Sequence, residues 1–322
     1  MRFSLITTCT DRQAYLDRFA SGLARQTFRG GMELIYVAQG KATLAFSDHV
    51  ANAIQIVLCR VGRPLSLSTA RNIGIAKATG DIVAFPDDDC WYDDAVLEKI
   101  SGYFEAHPQV ECICVNVYDP ELRRAMVDQP IGVIQRVAYS NVFQFANSNG
   151  IFIRRNALRM VGDRFDERLG VGTALGSGEE TEFVTRLLAL KIHIDYVGTI
   201  QVYHPVIQHL YGTPEKEYSY SFGFGVVNGW LIRRRQLGAV VYFLRSILRS
   251  CLGAIVYSLR QSARKTYANR ALGMLAGVAH GVTSNPCEYC SSVGSKSVVV
   301  SDCPAEKGSE QGAVSGKKAC HG

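Results

Sequence analysis

Three consecutive carboxylates, Asp87, Asp88 and Asp89, follow a short apolar run that stops at Pro86, and carboxylates gathered at such a point can hold a hard cation. Side chains alternate along an extended backbone, so Asp87 and Asp89 face one way and Asp88 the other. One aligned pair suits Mg²⁺ or Mn²⁺, which takes one or two protein carboxylates together with substrate phosphate oxygens. The plainer reading is a polar turn that caps the next helix. Asp93 and Asp94, however, stand directly before the helical repeat of Val96, Leu97, Ile100, Tyr103 and Phe104 and can cap it themselves. A second acidic group sits in Gly178-Glu179-Glu180-Thr181-Glu182-Phe183. One Glu there serves the helix dipole; three within four residues, behind the glycine-rich loop from Gly172, suggest a carboxylate offered at a cleft edge as a base.

The elements that must carry these groups alternate in type. Apolar runs at Phe3 to Thr7, Leu34 to Ala38, Ala53 to Leu58, Ile82 to Phe85 and Val110 to Val117 read as strands, and Gln13 to Gln26 and Ser68 to Ala78 have helical spacing. This predicts an α/β fold with a mostly parallel, Rossmann-like sheet, helices on both faces and a ligand crevice at the carboxyl ends of the strands, where the Asp triplet falls. A second half opens near Asn147, with a strand through Ser148-Asn-Gly-Ile-Phe-Ile-Arg-Arg and Asn156 as cap of a following helix.

Charge separates the rest of the chain. The net charge of +6 comes from residues 218–287, which hold nine Lys or Arg and no acid, whereas residues 1–217 hold 22 bases and 25 acids. On a single helix Arg245, Arg249, Arg260 and Arg264 form one basic stripe on an apolar surface, with Trp230, Tyr242, Phe243 and Arg233-Arg-Arg nearby. Such a segment lies in a membrane interface; no uncharged stretch approaches the roughly 20 residues of a spanning helix, and apolar runs between the Arg residues suit lipid better than nucleic acid. The alternative is a helical hairpin packed on the rest of the chain or on another subunit. The opening apolar run is too short for a secretory signal, so Cys9, Cys59, Cys112 and Cys114 are expected as reduced thiols in a cytoplasmic protein. Cys287, Cys290, Cys303, Cys320 and His321 match no compact zinc spacing and fall in a polar tail expected to be disordered. The expected organisation is a catalytic domain over 1–217, divided near 146, a basic amphipathic segment over 218–282 and the tail over 283–322.

Four motifs, in order and spacing, resemble glycosyltransferase family 2 over about residues 3–210. Ser4-Leu-Ile-Thr-Thr-Cys-Thr-Asp-Arg is similar to the family's first strand and nucleotide-contacting loop, which implies donor contacts from Thr8, Asp11 and Arg12. Leu65-Ser-Leu-Ser-Thr-Ala-Arg71-Asn72 is similar to its helix with an Arg and an Asn near the donor, and Asp87-Asp88-Asp89 resembles its DxD element. In that element the first Asp tends to face the donor ribose and the last binds the metal. Gly178-Glu-Glu-Thr-Glu-Phe-Val-Thr-Arg resembles the motif that places the catalytic base at Glu180, and His204 in Val-Tyr-His-Pro stands where the family often has a His near the metal. Two departures stand out: Gln39 replaces an acid at the nucleobase contact, leaving the base open, and Glu180 replaces the commoner Asp.

The resemblance implies a GT-A fold and an inverting, metal-dependent enzyme of bacterial polysaccharide type. It would move a sugar from a nucleotide-diphosphate donor to a hydroxyl of a glycan or lipid-linked acceptor, at the inner face of the cell membrane and without nucleic acid. A divalent cation, Mn²⁺ or Mg²⁺, would sit on Asp89 with Asp87 and His204; Arg71 would offer its fork to the diphosphate, Asp88 would join the donor contacts, and Trp91, Glu179 and Glu182 would face the acceptor. A sugar-phosphate nucleotidyltransferase would need an early glycine-rich phosphate loop that the sequence lacks. A catalytically degenerate membrane scaffold gains support from Gln39 and loses it to the intact Asp87, Asp89 and Glu180.

Overall fold

The computed structural model describes residues 1–9, 13–40, 46–205 and 213–286. Strands β1 (Arg2–Cys9), β2 (Gly31–Gln39), β3 (Gln55–Val61) and β4 (Ile82–Ala84) alternate with helices α1 (Gln13–Ala24), α2 (Asp48–Ala53) and α3 (Leu67–Ile75). Then come α4 (Val96–Ala106), β5 (Cys112–Asp119), β6 (Arg124–Ala125), β7 (Ile134–Arg136), α5 (Val142–Phe145), β8 (Ile151–Arg154), α6 (Arg155–Met160), α7 (Glu179–Ala189) and β9 (Ile194–Tyr203). The sheet order is β3-β2-β1-β4-β8-β5-β9-β7, with β6 hung on β5. Following the pairings, β1 to β5 and β9 all run one way, while β6, β7 and β8 run against them. The mixed α/β sheet is mostly parallel, as expected.

Alternation along each strand builds two cores. Phe3, Leu5, Leu34, Tyr36, Ile82, Ala84, Ile113 and Val115 point to one face, where they pack with Leu16 and Phe19 of α1 and Leu97 and Ile100 of α4. Ile6, Ile35, Val83, Cys112 and Cys114 point to the other, with Ile75 of α3 and Phe183 and Leu187 of α7. Helices therefore cover both faces.

Two local expectations give way. Asp93 and Asp94 do not cap α4: the Asp93 carboxylate accepts from the Tyr203 hydroxyl at 2.7 Å and Asp94 pairs with Arg25. Gln26, at the end of α1, accepts from the Leu97 N–H at 3.0 Å instead, so one helix end caps another. Asn156 lies inside α6, which begins at Arg155. Cys112 and Cys114 are buried free thiols, Cys59 is a partly buried one, and Cys9 has no described side-chain environment.

The carboxyl-terminal part is a helical unit of α8 (Pro214–Arg233), α9 (Leu237–Val256) and α10 (Gln261–Thr283). Thr213 caps α8 through its hydroxyl, and Pro214 occupies the first turn, where its missing N–H costs nothing. The expected boundary after residue 217 thus falls inside α8, and Val226, Val227, Trp230 and Leu231 belong to the same core as the sheet and α7. Gly225 and Gly229 of α8 face Gly277 and Gly281 of α10, and Gly273 faces Tyr218, so closely that a Cβ at any of these glycines would meet the opposing backbone. Repeats of small residues four apart allow this approach. The single basic helix does not form: a turn at residues 257–260 separates α9, with Arg245 and Arg249, from α10, with Arg264. Gly253 lets the ring of Tyr267 close against α9, with Tyr257 stacked on Tyr267, which folds the chain back. α10 continues through Thr283, and the expected tail from Cys287 lies outside the described residues.

Candidate active site

The apolar β4 strand, buried on both faces, delivers its carboxyl end to the sheet edge, and Phe85-Pro86 carries the chain into Asp87. Asp87 is held on three sides. Its N–H donates to Asn149 Oδ1 at 2.7 Å, its Oδ2 accepts from Asn149 Nδ2 at 3.0 Å, and its Oδ1 accepts from Arg71 Nη2 at 3.0 Å. Four residues on, Trp91 and Tyr203 exchange backbone hydrogen bonds of 3.0 and 2.9 Å, tying the segment after Asp89 to the end of β9. That bridge sets His204 next to the aspartates, and its own N–H is fixed to the Tyr118 carbonyl at 3.1 Å.

Nε2 of His204 lies 3.1 Å from Asp89 Oδ1 and 3.9 Å from Asp87 Oδ2, and one donor atom from each of the three residues falls within 4.8 Å of the others. Two hard carboxylates and an imidazole at this spacing fit Mn²⁺ or Mg²⁺, with the remaining positions left to phosphate or water. Asp87 and Asp89 converge and Asp88 is buried at 8% exposure, but the cause is a turn rather than the expected extended alternation: the Cys90 N–H donates to the Asp87 carbonyl at 3.2 Å. Burial alone would lower the His204 pKa, but the hydrogen bond to Asp89 and the charges of Asp89 and Asp87 outweigh it and raise the value.

α7 opens on Gly178, whose φ of +94° excludes a side chain without strain. Its three glutamates take different partners. Glu179 is 5% exposed and accepts from Arg71 Nη1 at 3.1 Å. Glu182 receives Nε of Arg186, one turn later, on both oxygens at 2.9 and 3.0 Å, and Arg186 reaches on to the carbonyls of Val161 and Arg164. Glu180 alone keeps an occluded oxygen, Oε2, with no hydrogen-bond partner among the described residues. Burial and then the charge of Glu179 push its carboxyl well above the ordinary Glu value.

These placements revise several expected roles. Arg71, 1% exposed, does not turn its fork outward to a diphosphate; it bridges Asp87, Glu179 and the Ser148 hydroxyl, so it organises carboxylates. Asn72 binds the loop at Phe165 and Glu167, with its Oδ1 accepting from the Phe165 N–H at 2.7 Å, so its amide is committed there and not to a donor. Glu182 is committed to Arg186 and to the turn at residues 161–164, so it does not face an acceptor. Gln39 ends β2 as expected but accepts from the Leu65 N–H at 2.7 Å, which holds the loop before α3. Thr8 stands near the end of β1 opposite Val37, and Asp11 and Arg12 lie outside the described residues. The Arg18 guanidinium lies over the Trp91 ring at 3.9 Å, and its Nη2 donates to the Asp89 carbonyl at 2.8 Å.

Three positioning residues escaped the sequence reading: Arg18, Ser148 and Asn149. Ser148 and Asn149 are buried polar residues, 7% and 3% exposed, on the turn that feeds β8, and polar residues entering an apolar strand are the available signal. Concavities elsewhere on the described residues are not lined by this constellation. One of about 470 Å³ sits among Ser66, Arg168, Leu175, Trp230 and His280, and one of about 840 Å³ at the opposite strand ends, with Gly80, Asp81 and Arg155.

Comparison with known proteins follows the same lines. Residues 4–162 match the model of glycosyl transferase family 2. The pre-mycofactocin glycosyltransferase of Mycobacterium tuberculosis is 29% identical over 197 residues, which is 58% of this chain and 40% of that protein. The chain thus spans about two-fifths of the length of the curated relatives it matches. Among solved structures, the mannosyltransferase PcManGT of Pyrobaculum calidifontis, in complex with GDP-Man and Mn²⁺, superposes with a TM-score of 0.55 at 14% identity, covering 87% of each chain. TarS 1–349 of S. aureus with UDP-GlcNAc gives 0.53 at 15% identity, covering 86% of this chain and 91% of that one. At these identities the likeness establishes the fold, and the GT-A architecture expected above stands.

Proposed function

We propose that the chain, whose residues 4–162 match glycosyl transferase family 2, moves a sugar from a nucleotide-diphosphate donor to an acceptor hydroxyl with inversion, using Glu180 as the base. The observation that carries this reading is the division of labour among the carboxylates. Asp87 and Asp89 converge with His204, while Glu180, across the Arg71 bridge, keeps an unpartnered oxygen. A divalent cation bound there would supply charge neutralisation for the departing diphosphate. The protein's own part is positional. Asn149 and Arg71 fix Asp87, the Trp91 and Tyr203 bridge fixes Asp89 against His204, and Arg71 holds Glu179 so that Glu180 turns to the acceptor. Glu180 Oε2 accepts the acceptor hydroxyl proton as the oxygen attacks the anomeric carbon and the nucleoside diphosphate leaves on the other face. A base so placed contributes about 10²- to 10⁴-fold. The raised proton affinity of Glu180 suits removal of a proton from an alcohol.

The acceptor is a glycan or lipid-linked sugar, and the chain works against the inner, anionic face of a membrane. α9 supports this: Ala239, Phe243 and Ser250 are buried against the protein, while Leu237, Val241, Leu244, Leu248, Leu252 and Ile255, all at least half exposed, line the opposite side, with Arg245 and Arg249 at the stripe's edge. By length and composition this 20-residue helix could span a bilayer, but its packed inner side favours the interface. Flotation with anionic vesicles is expected for the full chain and lost in Leu244→Glu/Leu248→Glu, and equal flotation of both removes the membrane from the proposal.

The transferase proposal is tested by a panel of sugar nucleotides, including UDP-GlcNAc and GDP-mannose, with Mn²⁺ or Mg²⁺, scored by binding and by nucleoside diphosphate release. Cation-dependent binding and release of one donor are expected. Binding without release from any donor, in the presence of acceptor glycans, would favour the scaffold reading.

A further inference from the structure

α8 does more than begin the helical unit. The loop that leads into α7 is seated directly on it: the Ser177 hydroxyl donates to the Tyr220 carbonyl at 2.8 Å, and a Cβ on Gly176 would meet the Ser219 backbone. Gly223 likewise has no room for a Cβ against the backbone of Ser177, and Gly178 lies against Gly223 and Val227. Ser177 and Gly178 are the two residues before Glu179 and Glu180. The first turns of α8 are therefore adjacent to the start of the base helix, on the side not taken by Arg71.

Tyr220 projects from this contact. Its ring is 40% exposed, with the Lys216 ammonium 5.3 Å from the ring centroid. Burial, followed by the charges of Glu179, Glu180 and Asp87, raises the affinity of its hydroxyl for the proton. A half-exposed aromatic ring with a hydroxyl, on the turn of α8 that accepts the hydroxyl of Ser177 two residues before Glu179, offers a sugar both an apolar surface and a hydrogen bond.

We propose that Tyr220 is an acceptor-contacting specificity residue, and that the first turns of α8 form the acceptor-side wall of the active site. The inference rests on the transferase reading and deepens it: the unit that carries the exposed apolar stripe of α9 also supplies a contact to the incoming sugar. Acceptor recognition and surface docking then reside in one helical unit, whereas donor contacts reside in the sheet domain.

The test uses the full chain with the donor and acceptor that the wild-type protein accepts, and it compares Tyr220→Ala and Tyr220→Phe with Tyr218→Ala, a neighbouring exposed tyrosine stacked on Phe222. Tyr220→Ala is expected to raise the acceptor KM by about tenfold or more, with donor binding and release of diphosphate to water unchanged within about twofold. Loss of one neutral hydrogen bond in Tyr220→Phe should raise it about two- to tenfold. Tyr218→Ala should behave as wild type. An unchanged acceptor KM in Tyr220→Ala overturns the proposal, as does an equal loss of donor binding, which marks a purely structural role. A fault in the transferase reading shows differently, as a wild-type protein inactive on every donor. Should Tyr220→Ala fail to fold, the Tyr220→Phe value decides alone.

Discussion

The two acidic triplets of this protein are built from the same chemistry and end in different states. Asp87, Asp88 and Asp89 lie on a turn after β4, closed by the Cys90 N–H on the Asp87 carbonyl at 3.2 Å, which brings Asp87 and Asp89 together beside His204 and buries Asp88. Glu179, Glu180 and Glu182 lie on the first turn of α7, where each side chain meets a different neighbour. Arg71 takes Glu179 and Arg186 takes Glu182, and neither cation satisfies Glu180. Charge count alone therefore does not mark the functional carboxylate. What marks it is one buried oxygen, Oε2, that finds no hydrogen-bond partner among the described residues, where its neighbours are paired with a cation. The two groups are also joined, because one buried guanidinium, Arg71, touches both.

The contrast can be broken most sharply at its unpartnered member. Glu180→Gln should lower turnover by about 10²- to 10⁴-fold and leave donor binding intact; turnover near wild type removes Glu180 from the base role. Next comes the shared cation. Arg71→Ala leaves Asp87 and Glu179 facing each other without a counter-charge and should cost about 3 to 5 kcal/mol of unfolding free energy in urea titration. Arg71→Lys should recover little of it, since a point charge cannot bridge both carboxylates. A loss below about 1 kcal/mol in Arg71→Ala would mean the bridge is ornamental.

Glu182 sharpens the comparison from the other side. Glu182→Gln should cost about 2 to 3 kcal/mol by weakening charged hydrogen bonds to Arg186, yet leave turnover per folded molecule close to wild type. A collapse of turnover without loss of stability would give it the catalytic part denied here. The smallest effect is in pH. A carboxyl raised above its unfolded value keeps its proton longer in the folded state, so stability falls as pH rises from the ordinary Glu range through the raised value. Wild-type melting temperature should decline over that window more than that of Glu180→Gln, and the acid limb of kcat should lie above the ordinary Glu value of 4.5. Parallel melting curves would contradict the shift.

How much of this was legible in the sequence depends on the distance over which each signal acts. The strands β1 to β5 are local patterns, and periodicity found them to within a few residues, whereas Asp87 and Asp89 meet through a turn that strand alternation does not describe. Glu180 was placed by motif resemblance, and its lack of a partner emerged only from the fold. Arg71 was singled out but for the wrong partner, since its contact with Glu179 spans 108 residues and no local spacing encodes it. Asn72 and Gln39 went astray for the same reason, their amides being claimed by Phe165 and Leu65. The union of α8 with α10 was hidden because glycines carry no apolar periodicity, although the four-residue spacing of Gly273, Gly277 and Gly281 stands in the sequence. A different contact, of Gly223 and Tyr220 with Ser177, makes α8 a neighbour of the base helix rather than an appendage.

The most direct measurement of the central claim is anomalous diffraction from crystals soaked with Mn²⁺ and the accepted sugar nucleotide. The account predicts a manganese peak bonded to Asp89 and His204 and to the donor diphosphate, with the anomeric carbon turned toward Glu180. A nucleotide bound with its diphosphate and any manganese away from these three residues would contradict it.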